Sequence, residues 1–103
     1  MCQSVDPQRF RVMKEQADVV LLDVRSPKEK YEEGSIPGHE LIDFEHPNFS
    51  YYLDDLDREK TYLVYCRSGN RSQQACQLMR RKGFERVVSL DGGIQRWKST
   101  FSR

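Results

Sequence analysis

"TYLVYCRSGNRSQQACQLMRRKG", residues 61 to 83, decides how the rest of the chain is read. It opens on a β-branched and aromatic run, Thr61 to Tyr65, the pattern of a strand buried on both faces of a sheet. From Ser72 the period changes. Ala75, Leu78 and Met79 share one helical face, basic residues fill the last turn where they complement the helix dipole, and Gly83 supplies the cap. Only a tight turn, Cys66 to Arg71, separates the two patterns.

Reading outward, "VVLLDV", residues 19 to 24, is a second continuous apolar run and belongs at or beside the centre of a parallel sheet. After it, Ser26-Pro27-Lys28-Glu29 combines an N-cap serine, proline at the first helical position and a glutamate three residues past the cap, so a helix starts there and ends at Gly34. "RVVSL" before Asp91 reads as a third strand, and Gly92-Gly93 opens a terminal helix carrying Trp97. "PQRFRVMKEQ", residues 7 to 16, places Phe10, Met13 and Ala17 on one face of a short leading helix. "IPG", residues 36 to 38, is turn chemistry, and "HELI" after it is a short strand. The acidic, aromatic stretch from Glu45 to Lys60 reads as a loop with a helix near Tyr51 to Leu56. This alternation predicts an α/β fold: one domain over residues 1–103, with a mostly parallel central sheet flanked by helices on both faces.

Charge and composition exclude several roles. A formal net charge of +1 lacks the basic excess that drives non-specific nucleic-acid binding. No apolar run approaches the roughly 20 residues needed to cross a bilayer. "MCQSVDPQRF" lacks the charged and apolar regions of a secretory leader, so a chain complete as written is expected in the cytoplasm. Three cysteines at irregular spacings suggest no disulfide framework. Cys2 reads as an incidental mobile thiol and Cys76 as packing within a helix. His39 and His46 have neither helical ligand spacing nor a C-x-x-C partner, so they read as surface residues and no metal site is expected. Arg80 to Lys82 read as a solvated, dipole-complementing helix end more than as a docking patch.

Cys66 differs from the other two cysteines in its surroundings. It falls at the carboxyl end of a parallel strand, where open α/β sheets bind ligands. Gly69 permits a positive φ in the turn, and loop N–H groups can converge there with the positive end of the following helix to form an anion nest. That field, with Arg67 and Arg71, favours thiolate over thiol and makes Cys66 a nucleophile. The candidate site is therefore Cys66 as catalytic residue, with Arg67, Ser68, Gly69, Asn70 and Arg71 binding an anionic substrate. A covalent intermediate on sulfur requires neither metal nor cofactor.

"LLDVRSPKEKYEEGSIPG", "VYCRSGNRS" and "LDGGIQRW" resemble, in order and over nearly all of the chain, the three signature regions of rhodanese-like domains. The resemblance implies a thiosulfate sulfurtransferase. Cys66 would take a sulfane sulfur from a thiosulfate-like donor, become a persulfide, and pass the sulfur to a thiol, cyanide or protein acceptor. It further implies that Asp23 and Arg25 support the fold around the site and that Gly92, Gly93 and Trp97 are architectural. A monomer or weak homodimer is expected. Two positions depart from the family pattern G-H-I-P-G-A: Ser35 stands for the histidine and His39 for the alanine.

Two rival readings remain. Phosphatases and arsenate reductases of the same fold require a C-x₅-R loop, whereas Cys66 and Arg71 enclose four residues. A module that only binds a protein or relays sulfur without turnover of its own is the other, although binding modules commonly lack the cysteine.

Overall fold

The computed structural model describes residues 2–101. Its elements run β1 (Gln3–Val5), α1 (Pro7–Met13), β2 (Val19–Asp23), α2 (Pro27–Glu33), β3 (His39–Leu41), α3 (Phe49–Asp54), β4 (Thr61–Tyr65), α4 (Asn70–Arg81), β5 (Val87–Leu90) and α5 (Gly93–Phe101). The strands form one sheet in the order β1-β5-β4-β2-β3, every pair parallel. The strand that leads into Cys66 is therefore central, and the apolar run of residues 19 to 24 lies next to it, paired on both sides. Asp23 stands in register with Tyr65, so β2 and β4 end side by side.

Alternation along these strands makes two cores. Leu22, Tyr62, Val64 and Val87 face Phe49 and Leu53 of α3 and Ala75, Cys76 and Met79 of α4. Leu21, Leu63, Tyr65, Val88 and Leu90 face Phe10 of α1 and Ile94 of α5. Helices thus cover both faces, which is why the central strands tolerate no polar alternation. Trp97 closes the second core edge-on against Phe10.

Local signals set the helix starts. The Asp6 carboxylate accepts from Arg9 N–H and Pro7 occupies the first turn of α1. Ser26 and Glu29 exchange both hydrogen bonds of a capping box at the head of α2. Ala17, expected on the face of α1, is exposed beyond the helix end, because α1 stops at Met13. The helix expected near Tyr51 to Leu56 begins two residues earlier, where Phe49 and Leu53 reach the core. The strand β1 had no counterpart in the sequence reading: only Val5 of its three residues is buried, and pairing with β5 supplies the rest of its order.

The cysteine expectations need correction. Cys2 is buried, with 6% of its surface exposed, and is joined by a disulfide to Cys76 of α4. Separation along the chain hides this approach: pairing of β1 with β5 carries the N-terminal residues beside α4. Among the described residues Cys66 is the free cysteine. No helix among them is long and apolar enough to cross a membrane.

Candidate active site

The loop from Cys66 to Gly69 leaves the carboxyl end of β4 and turns directly into α4. Gly69 is the N-cap of that helix, with φ at 112°, a left-handed conformation that favours glycine. This conformation aims the loop amides inward. Gly69 N–H donates to Cys66 Sγ at 3.1 Å and Ser72 N–H donates to it at 3.3 Å, while the Ser72 hydroxyl lies 3.5 Å away. Two backbone N–H groups of the turn therefore point at the sulfur itself. Cys66 retains only 1% exposure, so it forms the floor of the loop.

Two buried hydroxyls near the loop fall outside the candidate site residues. Ser72 Oγ lies 2.7 Å from Ser89 Oγ on β5 and also donates to the Gly69 carbonyl at 3.2 Å; both serines are fully buried. Ser72 could have been found as the residue one past Arg71. Ser89 could not, since a serine inside "RVVSL" carries no local signal.

The far wall comes from the start of α5. Ile94 N–H donates to the Cys66 carbonyl at 2.9 Å and Gln95 N–H to the Arg67 carbonyl at 3.1 Å. Gly93 makes this approach possible: its φ is 63°, and an added Cβ would stand 2.4 Å from the Arg67 carbonyl. The architectural role implied for this glycine thus has a definite content, the docking of one backbone against another.

Below the loop, Arg25 and Asp23 form a fully buried pair. Arg25 Nε and Nη2 bridge the carboxylate, with Nη2 at 2.7 Å from Oδ2, and Nη2 also donates to the Gly34 carbonyl at 2.8 Å. The Tyr65 hydroxyl accepts from Ile36 N–H. Burial pushes this phenol above its ordinary range, which keeps it neutral. These contacts tie the segment containing Ser35 to the sheet end, and they show what Asp23 and Arg25 support. The His39 side chain lies outside the described residues, whereas His46 is exposed and its Nδ1 accepts from Asn48 N–H.

The two loop arginines each meet a glutamate of α2. Arg71 makes a bidentate pair with Glu29 of α2, both N–H···O distances being 2.7 Å. Arg67 Nε lies 3.5 Å from a carboxylate oxygen of Glu33. Neither guanidinium is simply open to solvent; each faces α2. Hydrogen bonds from Arg71 hold the Glu29 carboxyl down at about 2, against the opposing effect of burial and aided by the Ser26 N–H. The same contact raises Arg71, which also feels the charge of Glu45. Ser68 and Asn70 are exposed and rim the loop. The basic end of α4 is committed locally: Arg80 donates to the Glu85 carbonyl and Lys82 pairs with Asp54.

A parallel five-stranded sheet with a cysteine-centred amide loop at the end of its central strand defines a rhodanese-type fold. The chain belongs to the rhodanese-like domain family, whose pattern matches residues 6–100. It is similar to proteins named thiosulfate sulfurtransferase GlpE. The one from Pseudoalteromonas translucida is 33% identical, over 82% of this chain and 78% of the relative. That from Pseudomonas syringae is 31% identical, over 94% and 88%. Among solved structures, a rhodanese-related protein from Thermoplasma volcanium superimposes with a TM-score of 0.85 at 29% identity, covering 98% of this chain and 95% of that one.

Proposed function

We propose that the protein is a thiosulfate sulfurtransferase whose Cys66 carries the transferred sulfur. The observation that bears most weight is the convergence of the Gly69 and Ser72 N–H groups on Sγ, since donors fixed around a reacting atom stabilise charge that develops there without reorganisation. The names of the GlpE relatives support the same reaction class.

In this reading the Cys66 thiolate attacks the outer, sulfane sulfur of thiosulfate. A new S–S bond forms, the bond from that sulfur to the sulfonate breaks, and sulfite leaves with the bonding pair. The resulting persulfide anion occupies the amide loop. An acceptor such as cyanide or a thiolate then attacks the terminal sulfur, and the electron pair returns to Cys66. Gly69 and Ser72 hold charge at Sγ through both steps, and the N–H groups of α5 fix the loop carbonyls so that the ring keeps its shape. Arg67, Ser68, Asn70 and Arg71 form the rim that meets the donor anion. The acceptor is a small thiophile or a protein thiol.

Sulfite release from thiosulfate, assayed in parallel with hydrolysis of an aryl phosphate, tests the reading. Sulfite release that requires Cys66, with no phosphate release, is the expected outcome. Phosphatase turnover without sulfite would replace it with the rival chemistry.

A further inference from the structure

Glu29 and Glu33 stand four positions apart on α2, one helical turn, and so share the face turned toward the loop. Each meets one loop arginine, Glu29 binding Arg71 and Glu33 binding Arg67. The two pairs differ in kind. Glu29 also accepts from the Ser26 N–H and hydroxyl and belongs to the frame of α2. The Glu33 side chain makes a longer contact with Arg67, whose side chain is 54% exposed, while the Glu33 carbonyl accepts from Lys98 Nζ. A pair of this sort is weak as a contact, but it keeps a carboxylate charge beside the guanidinium where an incoming anion would meet it.

We propose that Glu33 is a specificity-determining residue that screens Arg67 at the mouth of the cysteine loop and lowers the site's preference for doubly charged donors. The proposal rests on the sulfur-transfer reading for its substrate class. Thiosulfate is a dianion, whereas persulfides and thiosulfonates deliver the same sulfane sulfur with less charge. With Glu33 beside it, Arg67 offers an approaching dianion little net charge, so the advantage of the second negative charge is small. Without that carboxylate the guanidinium is free to meet the donor, and a dianion gains more than a monoanion does. Glu33 touches neither Cys66 nor its amide donors, so the effect belongs to binding and not to the chemical step.

Two readouts test this, one independent of turnover. Alkylation of Cys66, located by peptide mapping without reductant, is compared for iodoacetate, an anion, and iodoacetamide, which is neutral. Glu33→Gln is expected to raise the iodoacetate-to-iodoacetamide rate ratio about two- to fivefold at low salt, the range of an exposed ion pair. It should lower KM for thiosulfate by a similar factor with kcat unchanged, and lower KM less for an arylthiosulfonate monoanion. Glu32→Gln, which removes the same charge from the exposed neighbouring position, should change neither readout. Adding Arg67→Ala to Glu33→Gln should abolish the gain. Unchanged ratios in Glu33→Gln, an equal effect of Glu32→Gln, or a gain that survives loss of Arg67 overturns the proposal. If no variant turns over thiosulfate while the alkylation ratio moves as stated, the sulfur-transfer reading falls and Glu33 stands as the screen of an anion site.

Discussion

Arg71 and Glu29, 42 positions apart in the chain, are joined by two N–H···O bonds of 2.7 Å. The pair couples the first turn of α4, which holds the cysteine loop, to the first turn of α2. Because Glu29 is also the acceptor of the Ser26 capping box, one carboxylate serves a helix cap and a loop anchor at once.

That double role sets an acid limit. The Glu29 carboxyl lies at about 2 in the folded protein against an ordinary 4.5, so the folded form releases its proton more readily than the unfolded one. Its contribution is present above about 4.5 and is lost as pH falls toward about 2. Glu29→Gln should therefore cost about 1–2 kcal/mol at neutral pH, discounted for partial exposure, and flatten the acid limb. Denaturant midpoints of both proteins between pH 2 and 7 check this. Parallel curves would show that the pair contributes nothing.

Gly93→Ala should damage the site more than its distance in sequence suggests. The new Cβ meets backbone atoms of Arg67 and Cys66, which cannot rotate away as a side chain could. We expect a loss of about 2–4 kcal/mol and at least roughly a hundredfold lower kcat/KM, as α5 is forced off the loop. Thermal unfolding and steady-state kinetics report both.

Ser89→Ala removes one member of a buried hydroxyl pair and leaves Ser72 with the Gly69 carbonyl as acceptor. Stability should fall by about 1 kcal/mol. Sulfur transfer should weaken about three- to tenfold, since the Ser72 hydroxyl beside Sγ is then held by one partner instead of two. Ser89→Thr, which keeps the hydroxyl, should recover most of the rate, a rescue that bulk destabilisation would not produce.

The Cys2–Cys76 disulfide closes most of the chain into one loop and should stabilise it by about 2–4 kcal/mol. Cys2→Ser, or reductant, should lower the unfolding midpoint accordingly. Sulfur transfer at Cys66 should persist, because the N–H donors to its Sγ come from Gly69 and Ser72 and not from either bonded cysteine. An unchanged midpoint on reduction would contradict the stabilising role.

The features legible in sequence were those with local causes. β2, β4 and β5 announced themselves as apolar runs, the cap of α2 as Ser26 and Glu29, and the amide loop as Gly69 between strand and helix. The features that were not legible depend on approach across the fold. β1 is too short to show a period and is ordered by its neighbour. Cys2 gave no sign of Cys76, nor Arg67 and Arg71 of the two glutamates on α2, because each pairing is created by the sheet order. Ser89 is the same case in a strand: its hydroxyl matters only because β5 lies beside β4 at the level of the loop.

The most direct test of the account is where sulfur becomes attached. After brief treatment with thiosulfate, intact-mass and peptide analysis should find one added sulfur atom, on Cys66, with one sulfite released for each persulfide formed. Cys66→Ala should show neither. Added sulfur on another residue, or sulfite release that survives Cys66→Ala, would contradict the assignment of Cys66 as the sulfur carrier.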